Sequence, residues 1–184
     1  LMNADVTIAG APFTPKAVIK QMSPNKFSME LTAEGMGTLM KQSFDGETGY
    51  MEQQGRKIPM DDAALSTRKS SKGLFEELFM ESSSMELESM MTIEGTDVYK
   101  IKITKDDKSS FRYYDVKTGY LLRTEEMAEV QGQSMTTTTD YSNYKAVGDV
   151  MMPYTMKVTS GPQVLVFETT EVKVNEGVTD ADFN

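Results

Sequence analysis

Polar and apolar residues alternate along most of the chain with a period of two, the mark of strands that have one apolar and one polar face. In Lys26-Phe27-Ser28-Met29-Glu30-Leu31 the odd positions are apolar and the even ones polar without exception. From Gly37 to Phe44, Met40 and Phe44 fall on one side and Leu39 on the other. Tyr99, Ile101 and Ile103 oppose Lys100 and Lys102, and Tyr154, Met156 and Val158 oppose Thr155, Lys157 and Thr159. The stretch from Val164 to Val174 is apolar on both faces before it alternates, so it predicts a long strand covered on both sides at one end. Thr136 to Thr139, four β-branched residues between Met135 and Tyr141, predicts a further strand.

The punctuation fits hairpins. Phe44-Asp45-Gly46-Glu47-Thr48-Gly49-Tyr50 and Tyr114-Asp115-Val116-Lys117-Thr118-Gly119-Tyr120 share the pattern aromatic-Asp-x-x-Thr-Gly-Tyr. In such turns the Asp accepts from nearby backbone amides and the Gly takes a positive φ. Asp106-Asp107-Lys108 predicts a third turn. Helical periodicity occurs once, over about 61–82. Asp61 or Asp62 can cap a helix through Ala63, Ala64 and Leu65; after a break at Ser70, Ser71 and Gly73, the residues Leu74, Phe75, Leu78 and Phe79 form a second short stripe. Ser82-Ser83-Ser84 is expected to end the pair.

About nine to eleven antiparallel strands at ~4.8 Å spacing make a sheet on the order of 45 Å wide, and a helix is only ~10 Å across. Two short helices cannot cover that apolar face. The sheet must curl on itself, pack on another sheet, or leave an apolar concavity for a ligand or partner. Sandwich, closed barrel and open half-barrel all satisfy the pattern.

Composition then narrows the chemistry. The 184 residues contain no His, Cys or Trp. There is no imidazole acid–base group, no Ser-His-Asp or Cys-His nucleophile, no thiolate or imidazole zinc site and no disulfide. With 19 Lys+Arg against 28 Asp+Glu, the formal net charge of −9 opposes nucleic-acid partners. The longest apolar run, Val164-Leu165-Val166-Phe167, is far short of the ~18 residues of a spanning helix. The 16 Met outnumber the 10 Leu and 6 Ile. Met is flexible and polarizable, and it suits surfaces that accept varied apolar partners as well as ordinary cores. On the plainer reading Met29, Met40 and Met156 are core, and Met90, Met91, Met151 and Met152 lie near strand ends.

No catalytic set emerges. The adjacent carboxylates Asp61-Asp62, Glu76-Glu77, Asp106-Asp107 and Glu125-Glu126 read as solvated charge, because neighbours in a strand point to opposite faces. Asp180-Ala181-Asp182 spaces oxygen ligands but ends before a calcium loop closes. Gly35-Met36-Gly37 lacks the third Gly of a dinucleotide turn. No cofactor and no metal are expected.

Five segments in order resemble the LolA/LolB lipoprotein-carrier superfamily: Pro24 to Leu31, Phe44-Asp45-Gly46 with Tyr50, Tyr114-Asp115 with Thr118-Gly119, Tyr141 to Lys145 with Val150 to Tyr154, and Phe167 to Val174 with Asn175 and Phe183. The wording is closest to LolA-like accessory domains found C-terminal to pitrilysin-type zinc peptidases. The resemblance implies a mainly β, strongly curved antiparallel half-barrel with a short helical lid on the concave face, as one domain over 1–184. It also implies a non-enzymatic protein of the periplasm or cell envelope of a Gram-negative bacterium. Its ligand would be hydrophobic: a lipoprotein acyl chain, a lipid or an apolar peptide. The expected lining is Phe27, Met29, Leu31, Met40, Phe44, Ile101, Ile103, Met156 and Val158, with Leu74, Leu78 and Phe79 as cover. The alternative is a non-catalytic interaction domain of an envelope zinc peptidase, any peptidase activity lying on an upstream domain. A start at Leu1 rather than Met fits a piece cut or processed from a longer polypeptide. No helix pattern precedes Ala4, and no lid-contacting arginine of the family matches Arg56, Arg68, Arg112 or Arg123.

Overall fold

The alternating segments become thirteen strands in one antiparallel sheet. The computed structural model describes residues 1–53, 55–71, 73, 76–105, 108–130 and 133–184, with the backbone alone for 76, 77, 128–130, 133 and 134. The strands are β1 (Met2–Ile8), β2 (Lys16–Met22), β3 (Lys26–Ala33), β4 (Gly37–Phe44), β5 (Gly49–Gln53), β6 (Arg56–Pro59), β7 (Met85–Ile93), β8 (Thr96–Lys105), β9 (Lys108–Asp115), β10 (Leu121–Val130), β11 (Gln133–Val147), β12 (Val150–Ser160) and β13 (Gln163–Val172). Their order is β6-β5-β4-β3-β2-β1-β13-β12-β11-β10-β9-β8-β7, an open sheet whose ends are β6 and β7. The fold is of the half-barrel class, mainly β with a short helix. Two of the strands, β6 and β7, carry weak alternation, and the sequence count of nine to eleven falls short of the thirteen observed.

By its contacts the chain gathers into two compact units, residues 1–79 with 167–184 and residues 80–166. In the first, the β2–β3–β4 ladder pairs Gln21 with Phe27 and Phe27 with Phe44, Ile19 with Met29 and Met29 with Gln42, Ala17 with Leu31 and Leu31 with Met40. Opposed residues share a face, so the apolar positions of β3 and β4 line up across the sheet as their alternation predicts. Ala4, Val6, Ala17, Leu31 and Phe44 are buried.

The other face of the same strands carries Lys20, Ser28, Ser43 and Lys26, and the C-terminus closes it. Asp180–Phe183 forms a 3₁₀ turn with a Thr179–Asp182 capping box. The Phe183 side chain is buried, and its carbonyl accepts from Ser43 Oγ at 2.8 Å. Lys20 pairs with Asp182 and Lys26 with Asp180. The alternating carboxylates of this terminus are therefore taken up by two lysines.

In the second unit, β7 to β12 pair in sequence order, and Val98, Ile103, Tyr113 and Met152 are buried. The Tyr113 hydroxyl donates to Glu125 Oε2 at 2.8 Å, and burial pushes the phenol well above its usual range. Arg123 Nε donates to Asp140 Oδ1 at 2.6 Å on the neighbouring pair.

The two matching turns use glycine differently. In the β9–β10 turn Asp115 Oδ1 accepts the Lys117 amide at 2.7 Å and Gly119 has φ +73°, as predicted. In the β4–β5 turn Asp45 Oδ1 accepts the Glu47 and Thr48 amides at 2.7 Å, but the positive φ falls on Gly46. Gly49 opens β5 instead, and a Cβ there would meet Met60 Sδ at 2.6 Å and Ser43 O at 2.7 Å. Lys105 pairs with Lys108 across the third turn, whose Asp106 and Asp107 lie outside the described residues.

The C-terminal turn predicts an acid sensitivity. Its bond to Lys20, with help from Thr179, holds the Asp182 carboxyl down to about 2. A carboxyl depressed in the folded chain stabilises it above the unfolded value near ~4, and that stability is lost as pH falls through the folded value. The urea midpoint should drop between about pH 4 and pH 2, and Asp182→Asn should flatten this part of the profile. A remainder should persist from Asp45 and Asp115, lowered chiefly by the amides of Thr48 and Lys117. Phe183→Ala should cost about 3 kcal/mol in urea unfolding, the low end for a buried Phe because a terminal turn can detach.

Candidate functional site

The helical segment reaches the sheet through its last turn. Helix α1 (Asp62–Ser70) is capped by Asp61, whose carboxylate accepts the Ala64 amide at 2.8 Å, and Arg68 and Lys69 sit at its C-terminal end. None of its residues is buried. It meets the β3–β4 face by polar and stacking contacts: Arg68 Nη2 donates to Gln42 Oε1 at 2.9 Å, and the guanidinium lies 4.0 Å from the centre of the Phe27 ring. Lys69 pairs with Glu47, and Asn25 donates to the Lys69 carbonyl. A 3₁₀ turn at Glu76–Phe79 follows, so the expected second helix is a single tight turn. Ser82–Ser84 forms another 3₁₀ turn leading into β7, where the sequence predicted a simple ending.

Within the first unit, Phe27, Met29, Leu31, Met40 and Phe44 share the face that Arg68 touches. Phe44 has no exposed surface and Leu31 is buried, while Phe27, Met29 and Met40 are half-buried. Ile19 stands beside Met29, and β5 and β6 extend the face through Met51 and Ile58, both exposed. Of the expected cover, Leu78 is 78% and Phe79 64% exposed, and Leu74 lies outside the described residues, as does Phe75. A cleft of about 230 Å³ opens between the β2–β3 turn and the end of α1, lined by Phe27 and Arg68 among others. A second, of about 350 Å³, lies by β1 and β2 against Asn3, Asp5, Lys16 and Thr170.

In the second unit, Ile101, Ile103, Met156 and Val158 also share one face. The ladder runs from Ile101 through Arg112, Thr124 and Thr139 to Val158, while Met156 faces Tyr141. Four strand spacings, about 19 Å, separate Ile101 from Val158, and the positions between them are polar. The sheet therefore places these residues on a common side without bringing the two pairs into contact. Met90 and Met91 lie three and two residues before the end of β7 and are exposed. β7 alternates poorly because, at the sheet margin, neither face is well covered.

Arg68 and Gln42 are the site residues that pattern reading missed. The available signal was Gln42 itself, a polar residue between Met40 and Phe44 on an otherwise apolar strand face, which calls for a hydrogen-bonding partner. Among the described residues, no group of three or more Asp or Glu side chains is disposed to hold a metal ion.

The contrast between covered and uncovered aromatic residues is measurable. Phe44→Ala should cost 3–5 kcal/mol in urea unfolding. Leu78→Ser with Phe79→Ser should change stability by about 0.5 kcal/mol or less, as expected of exposed positions.

No protein-family model matches the chain, and no curated protein does. Solved structures do. A LolA superfamily protein from Nitrosomonas europaea superposes with a TM-score of 0.67 at 14% identity, over 100% of this chain and 88% of its own. A putative outer membrane lipoprotein-sorting protein domain from Vibrio parahaemolyticus gives 0.63 at 12%, over 100% and 88%. A DUF1329 family protein from Desulfovibrio piger gives 0.61 at 11%, over 100% and 87%. The fold is LolA-like.

Proposed function

We propose that this LolA-like protein is a non-enzymatic binding protein of the Gram-negative envelope, and that it holds a hydrophobic ligand on the apolar side of its sheet. The observation that carries the reading is how lightly α1 meets the sheet of the first unit. α1 buries none of its residues, yet through Arg68 it touches a strand face that presents Phe27, Met29, Leu31 and Met40. A helix that closed a finished core would bury an apolar stripe of its own. This one rests on a stacked guanidinium and a hydrogen bond to Gln42, contacts that can part at modest cost.

The ligand class follows from the lining. Methionine and aromatic side chains adapt to an acyl chain or an apolar peptide without demanding one shape. The likeness to a domain described as outer membrane lipoprotein-sorting supports a lipoprotein acyl chain or a related lipid, and a location in the periplasm. The absence of His and Cys from the sequence supports binding rather than catalysis. The residues of the second unit, Ile101, Ile103, Met156 and Val158, are assigned to the same role through their common face.

Extraction of the purified protein with organic solvent, followed by mass spectrometry, should recover lipid. The stripped protein should then bind a fluorescent fatty acid saturably. Met29→Glu, which sets a charge in the middle of the β3 face, should weaken that binding at least tenfold while leaving the circular dichroism spectrum unchanged. A protein that yields no lipid and binds no probe would overturn the reading.

A further inference from the structure

The Arg68 guanidinium is half-buried at the mouth of the smaller cleft. Among the described residues no carboxylate pairs with it: its contacts are the neutral Gln42 amide and the Phe27 ring. Burial pushes the guanidinium down from its ordinary value, although an arginine remains charged at neutral pH. A charge taken out of water is ordinarily paired. Among the described residues, Lys69 is engaged with Glu47 and Lys26 with Asp180, while backbone amides hold Asp45. Arg68 therefore offers donors without a counter-ion among the described residues, beside a cleft of about 230 Å³ that also presents Asn25, Ser71 and Gly73.

The same cleft opens onto the apolar face. Phe27, which forms one wall, is followed on its face by Met29 and Leu31, a track of about 13 Å at the strand rise. We propose that this cleft receives the anionic head group, a carboxylate or a phosphate, of an amphiphile whose chain lies along Phe27, Met29 and Leu31. Arg68 supplies the charge-assisted bond, and its stacking on Phe27 holds the guanidinium plane in place for a two-oxygen acceptor. The inference rests on the hydrophobic-ligand reading and narrows it from any apolar molecule to an acidic one. It also accounts for Gln42: a neutral acceptor orients the arginine and leaves its charge for the ligand.

The test compares a pyrene-labelled fatty acid with the matching fatty alcohol, titrated near neutral pH into the wild type, Arg68→Gln and Gln42→Glu, with circular dichroism as a check of folding. The wild type should prefer the acid at least tenfold, equivalent to about 1.4 kcal/mol. Arg68→Gln should abolish that preference. Gln42→Glu keeps the arginine in place but gives it an internal counter-ion, so it should also erase the preference. Equal binding of acid and alcohol by the wild type would overturn the head-group site and leave hydrophobic binding standing. Binding of neither probe would overturn both. A preference that survives in Gln42→Glu would overturn the role of Arg68. Displacement of the acid by inorganic phosphate at similar concentration would show a site for free anions and overturn the amphiphile.

Discussion

The structure is governed by a shortage of helical cover for an apolar sheet face. In the first unit, six consecutive strands at ~4.8 Å spacing make a surface on the order of 29 Å wide, whereas a nine-residue helix is about 13 Å long and ~10 Å across. Burial of apolar area is the main favourable contribution to folding, so an uncovered face is tolerated only if something else occupies it or if it is interrupted by polar groups. Both devices are present. Gln42 and Gln21 break the apolar face, and Arg68 bridges from the helix to one of these breaks.

The two faces of the first unit are finished in different ways, and the difference points to function. One face is sealed by the chain itself, where Phe183 is buried and two lysines grip the carboxylates of the terminal turn. The opposite face receives a helix that brings no buried residue, and Phe27, Met29 and Met40 stay half-buried there. Both faces therefore contribute buried residues, Leu31 and Phe44 on the side of Phe27 and Phe183 on the side of Ser43, and the exchange we propose falls to the half-buried Phe27, Met29 and Met40.

The alternation of apolar and polar residues made the strand faces legible because β3, β4, β8 and β12 each contact one covered and one less covered side. Phe27, Met29, Leu31, Met40 and Phe44 fall on one face for this reason, and so do Ile101, Ile103, Met156 and Val158. What alternation could not convey was lateral distance: Arg112, Thr124 and Thr139 intervene between Ile101 and Val158. Nor could it count β6 and β7, whose places at the sheet ends relax the demand for a covered face. The repeated aromatic-Asp-x-x-Thr-Gly-Tyr pattern predicted two hairpins correctly but one glycine role too many, since Gly49 is required for the approach of Met60 rather than for a positive φ. Arg68 was one arginine among four until the helix end was set against Phe27 and Gln42.

The proposal turns on whether the Phe27–Met29–Leu31 face takes up a lipid. Methyl-labelled methionine spectra recorded during titration with a lysolipid test it most directly. The resonances of Met29 and Met40 are expected to shift saturably and together. Shifts confined to the exposed Met36, Met90 and Met127, growing without saturation, would contradict it.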